Sequence, residues 1–215
     1  MTFTPAQLQE IALQLSCPQG IEGLSVADMM YESNLGMIES TVAALKVADA
    51  DAILELGHGN GKHIPVVLES AKGVSYFGLE ISSLMEREAK DFNLHSNASF
   101  YLYNGSQIPF ADHFFQKAFT VNTIYFWKNP IETLNEVARV ICTDGQFCIG
   151  FAQKEFMEML PFTPYGFTLY DDDKLADLVN HSHFKLKDLI SKTEELTSKN
   201  GEKMARNYTV AVLQK

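Results

Sequence analysis

Hydrophobic and polar positions follow two different periods along this chain. Near the start, Leu8, Ile11, Ala12 and Leu15 recur at helical spacing behind Thr4-Pro5, a helix-start pair. Cys17-Pro18-Gln19-Gly20 interrupts that pattern. A second helical segment from about Ser25 carries Met29, Met30, Leu35, Met37, Ile38, Val42 and Leu45. From residue 52 the pattern becomes short apolar runs bounded by turn residues, which predict strands at 52–56, 74–79, 98–103, 115–122 and 146–151. Helical stretches at 62–70, 82–93 and 130–141 separate them. The continuous apolar run Ile53, Leu54 and Leu56 reads as a buried strand. After a helix at 171–180, strands at 184–190 and 205–213 flank a polar turn at 198–203 and predict an antiparallel hairpin. The division expected is a helical cap or lid over 1–50 and one α/β domain over 51–215.

Composition narrows the partners. The 215 residues are 46% hydrophobic and 20% charged, as in ordinary globular chains. Twenty-seven acidic against 17 basic residues give a net charge of −10, which repels phosphate backbones, so nucleic acid is not expected as a partner. Cys17, Cys142 and Cys148 have no metal-ligand spacing and fit a reducing compartment. The start shows no signal-peptide pattern and no run is long enough to span a membrane. A cytoplasmic protein, monomer or homodimer, is expected. His181-x-His183 lacks the further ligands a metal site needs, so no metal is expected.

The first strand ends in Gly57-His58-Gly59-Asn60-Gly61, with Glu55 two residues ahead. A strand, a glycine turn and a helix place backbone N–H groups around an open crevice. Dinucleotide turns need a third small residue where Lys62 stands, and a carboxylate at Glu55 suits an ammonium better than a pyrophosphate. Glu80 ends the second strand about 20 residues on, where such folds recognise a ribose diol. A carboxylate there accepts both hydroxyl protons.

These residues resemble the first two binding elements of class I S-adenosylmethionine-dependent methyltransferases, of the type 11 kind, whose first motif reads (E/D)-x-G-x-G-x-G. Residues 104–112 resemble that family's third element, with Ser106 or Asn104 at the place of its adenine-contacting acid, or the backbone of Ser106 and Gln107 instead. The run 134–147, L-N-E-V-A-R-V-I-C-T-D-G-Q-F, resembles its L-x-E-x-x-R-V-L-K-P-G-G element. The resemblance implies a seven-stranded, mostly parallel, Rossmann-like sheet with an antiparallel C-terminal hairpin. It also implies S-adenosylmethionine as methyl donor, held by Glu55, Gly57, His58, Gly59, Gly61, Glu80, Ile81, Gly105, Ser106, Gln107 and Asn122.

On the acceptor side, Thr123-Ile124-Tyr125-Phe126-Trp127 puts large apolar groups at the carboxyl end of a strand, where they either line a pocket or pack beneath the cap. Tyr31, Asn34, Tyr125 and Trp127 are the expected substrate-binding residues, for a small, partly apolar methyl acceptor. Transfer from a sulfonium needs positioning more than a strong acid, so no catalytic residue is assigned, although His58, His63 and Tyr31 lie near enough to consider as a base. Two rivals are a donor-binding protein without catalysis and an NAD(P)-dependent oxidoreductase.

Overall fold

The computed structural model describes residues 3–197 and 203–215. Two helices, α1 (Pro5–Ser16) and α2 (Gly20–Ala44), precede β1 (Ala52–Leu56). Then follow α3 (Ile64–Leu68), β2 (Ser75–Glu80), α4 (Ser83–Phe92), β3 (Ala98–Leu102), β4 (Phe115–Val121), α5 (Pro130–Val140), β5 (Ile141–Ala152), α6 (Lys154–Glu158), α7 (Asp172–Asn180), β6 (Lys185–Thr197) and β7 (Lys203–Gln214). The strands form one sheet in the order β3-β2-β1-β4-β5-β7-β6. The first five are parallel, and β7 enters antiparallel between β5 and β6. Strand order reverses between β1 and β4, which opens a crevice at their carboxyl ends.

Burial on both faces explains the unbroken apolar strands. Ile53 and Leu54 of β1, Phe119 of β4, and Phe147, Ile149 and Phe151 of β5 are all fully enclosed. One half of α2 belongs to this core, with Met37, Ile38, Thr41 and Val42 buried. The helix approaches β5 closely because residue 150 is glycine: a Cβ there would lie 2.4 Å from Thr41 Oγ1.

Several boundaries move from those the pattern predicts. α2 starts at Gly20 rather than near Ser25 and runs unbroken over the cavity and onto the sheet. α3 is only five residues long. Residues 142–145, which the pattern leaves between a helix and a strand, lie inside β5, which begins at Ile141. Asp144 takes a φ of 64°, and the register with β4 shifts between Phe115 and Lys117. A bulge therefore does the work of a turn, because β4 pairs with residues on both sides of it. β6 and β7 extend beyond the predicted hairpin strands, and residues 198–202 of the predicted turn lie outside the described residues. No helix among the described residues is long and apolar enough to cross a membrane.

Candidate active site

At the switch point lies a cavity of about 390 Å³, within the range of small-molecule sites. Its floor is the glycine turn after β1. Gly57 has φ 74°, and a Cβ would meet Thr123 Cγ2 at 2.4 Å, so only glycine lets the turn pass beside the end of β4. Gly61 has a different task. A Cβ there would sit 2.8 Å from Ala89 Cβ, so it brings the turn against α4, and its carbonyl accepts from Asn93 Nδ2.

Two carboxylates face the cavity from the strand ends. Glu80, 6% exposed, accepts from the N–H groups of Ile81 and Ser82 through Oε1 and from Gly59 N–H through Oε2 at 3.1 Å. Burial raises its pKa, and these three donors act against that rise. Glu55, 2% exposed, accepts from His63 Nε2 at 2.8 Å and from the Tyr76 hydroxyl, both through Oε2. Oε1 makes no hydrogen bond among the described residues. His58 folds beneath the turn: Nδ1 donates to the Gly59 carbonyl, the ring stands edge-on to Phe100, and Gly78 leaves room for it. Desolvation lowers its pKa to about 4, and its Nε2 is buried without a partner among the described residues.

The N-terminal helices close the cavity from above. Asp28 of α2 accepts from Asn60 Nδ2 and Lys62 Nζ on the glycine turn, and Ser82 Oγ donates to the Pro18 carbonyl between α1 and α2. Opposite them, Ile124–Phe126 forms a single 3-10 turn. Three residues per turn send successive side chains to different sides. Ile124 and Tyr125 go into the core, while Phe126 and Trp127 line the cavity.

The structure therefore brings Glu55, Gly57, His58, Gly59, Glu80, Ile81, Gly105, Asn122, Tyr31, Asn34 and Trp127 to one cavity. Four expected residues are not in its wall. Gly61 packs on α4, as described. Tyr125 is buried, its hydroxyl donating to Asn122 Oδ1 and accepting from Ala152 N–H. Ser106 and Gln107 are exposed, and their N–H groups turn back onto Asn104 Oδ1. Asn104 itself is in the wall, and so are Tyr103, Asn60, Met85 and Lys128. Tyr103 could have been suspected from its place at the end of the third predicted strand. Met85 and Lys128 carried no signal, since their approach depends on how α4 and the loop after β4 fold over the sheet. Among the described residues, no group of three or more His, Cys, Asp or Glu side chains is placed to hold a metal ion.

Comparison with known proteins agrees with this architecture. Residues 54–149 match the family described as the methyltransferase domain. YrhH of Bacillus subtilis, named as a methyltransferase, is 26% identical over 127 residues, covering 55% of this chain and 71% of that protein. A chain from the complex between the Haloferax volcanii Trm112 methyltransferase activator and a methyltransferase superposes with a TM-score of 0.75 at 15% identity, over 97% of both chains. Geranyl diphosphate methyltransferase, solved with GPP and sinefungin, superposes with a TM-score of 0.68 at 10% identity, over 84% of this chain and 77% of that one. The matched segment and the sheet order support a class I S-adenosylmethionine-dependent methyltransferase, with residues 54–149 similar to that domain and the chain sharing its fold.

Proposed function

We propose that this protein transfers a methyl group from S-adenosylmethionine to a small, partly apolar acceptor. The observation that carries this reading is the convergence of the glycine turn and the Glu80 carboxylate in one switch-point cavity. The donor's chemistry fits the residues present. Glu80, aligned by three backbone N–H groups, suits a ribose diol. Glu55 Oε1 suits an ammonium, and the backbone of Gly57 and Gly59 allows close approach. His58, Ile81, Gly105 and Asn122 complete the donor side. Gly61, Ser106 and Gln107 support it from outside the wall. When bound, the donor supplies an electrophilic methyl on a sulfonium, and the protein's part is positioning and exclusion of water. Sinefungin in the geranyl diphosphate methyltransferase neighbour supports a donor-type ligand in this fold.

Tyr31, Asn34, Phe126 and Trp127 bound the acceptor end, with Tyr125 behind them. No catalytic base is assigned: His58 commits Nδ1 to a carbonyl and buries Nε2. The helices of residues 1–50 act as a cap, clasped to the donor turn through Asp28. Three free cysteines suit a cytoplasmic location. We expect the chain to act as a monomer or homodimer. The Haloferax neighbour's complex with an activator favours a protein partner as the second reading of what it assembles with.

Calorimetry tests the donor. S-adenosylhomocysteine should bind and NADP should not, and Glu80→Ala should weaken binding at least about tenfold through loss of charge-assisted hydrogen bonds. Binding of NADP alone would move the chain to the oxidoreductases. Transfer of label from S-adenosylmethionine to pools of small molecules separates an enzyme from a non-catalytic binder.

A further inference from the structure

A chain of hydrogen bonds links the C-terminal hairpin to the acceptor end of the cavity. Arg206 of β7, 5% exposed, pairs with Glu194 of β6 and crosses to α2. There its Nη2 donates to the Ser33 carbonyl at 2.6 Å, and its Nη1 donates to Asn34 Oδ1 at 2.8 Å. The same Asn34 oxygen accepts from Asn122 Nδ2 at 3.0 Å. Asn122 is oriented in its turn, because its Oδ1 faces the Ala152 N–H, which can only donate, at 3.3 Å.

These donors leave the Asn34 amide one orientation. A guanidinium has five N–H donors and no acceptor, and an amide oxygen has two lone pairs. Arg206 and Asn122 occupy both. Turning the amide over would set N–H against N–H on both sides. The Asn34 NH₂ group is therefore held away from Arg206. It has no partner among the described residues, is not among the buried unpartnered atoms, and belongs to a side chain lining the cavity. Trp127 does not compete for the same ligand group, since its Nε1–H donates to Thr123 Oγ1 at 3.2 Å. Among the described residues, Lys128 is the only lysine or arginine in the wall.

We propose that Asn34 selects the acceptor by its oxygen: the substrate class is an apolar or aromatic molecule bearing a carbonyl or carboxylate, and amines are disfavoured. This rests on the reading of that end of the cavity as the acceptor site. A fixed donor rewards a lone pair and leaves an ammonium facing N–H, with its own protons unpaired.

Phenylacetate, phenylacetamide and phenethylamine, which share a ring and differ in the polar head, test it by ligand-observed NMR titration with and without S-adenosylhomocysteine. Phenylacetate and phenylacetamide should bind the native protein at least about tenfold more tightly than phenethylamine. Asn34→Asp keeps the bonds from Arg206 and Asn122 and changes only the cavity-facing atom, so it should reverse that order. If that variant fails to fold, Asn34→Ala should abolish the preference. An amine-preferring native protein, no saturable binding of either oxygen-bearing probe, or an unchanged order in the variant would each overturn the proposal. Calorimetry with S-adenosylhomocysteine on the same samples reports on the donor separately. A failure there would sink the donor reading while the head-group preference is still measured.

Discussion

His58 and Glu80 sit on either side of the Gly59 backbone and titrate in opposite senses. Burial favours neutral imidazole, so His58 has a pKa of about 4 in the fold against 6.5 unfolded. Between those values the unfolded chain binds more protons, and the stability that His58 contributes is full above pH 6.5 and lost as pH falls toward 4. Glu80 is raised instead, so its contribution falls as pH rises above the ordinary carboxylate range. A His58→Asn variant isolates the first effect. Urea unfolding at pH 7 and pH 5 should show the native protein losing about 2 kcal/mol more than the variant over that interval. Equal losses would mean that His58 is not buried beneath the turn. The residue types at the glycine turn were legible in sequence because the glycines and Glu55 lie within seven positions of one another. The tasks of His58 and Gly61 were not, since Phe100, Gly78 and Ala89 come from other elements.

At the scale of elements, α2 combines two roles in a single helix. Its first half carries Asp28, Tyr31 and Asn34 over the cavity, and its second half packs Met37, Thr41 and Val42 into the core. The part of α2 over the cavity is therefore continuous with the part that packs on the sheet. Its position depends on Gly150, where any side chain meets Thr41 Oγ1. Gly150→Ala should cost about 1–3 kcal/mol by overpacking. Adding Thr41→Ala should recover most of it, because among the described residues that hydroxyl bonds only to the Met37 carbonyl one turn back. Urea unfolding of the two single variants and the double reads the coupling, and strictly additive costs would contradict this contact. Periodicity located α2 but lost its start, since Gly20 and Gly23 carry no apolar signal. The bulge in β5 falls in the gap that the pattern leaves between helix and strand, because Asp-Gly has the same local preference in a turn and in a bulge.

Across the whole molecule, donor binding should appear as stability. A ligand present at 100 times its dissociation constant adds about 2.7 kcal/mol. For a chain of this size that raises the thermal midpoint by roughly 5–10 °C. S-adenosylhomocysteine should produce that shift and NADP none, and the reverse would contradict the assignment of the cavity. By itself the sequence determined the strand succession, the helices other than α6, the glycine turn, and the two acidic residues at strand ends. These follow from short-range backbone preference and side-chain period, which neighbouring residues carry. Tertiary structure alone decided which distant groups meet: Asp28 with Asn60, Glu55 with His63 and Tyr76, and Arg206 with Asn34 and Asn122. Those meetings depend on sheet order and on the angle at which α2 crosses the strand ends. Both are set by packing over long sequence separations, which no local pattern encodes.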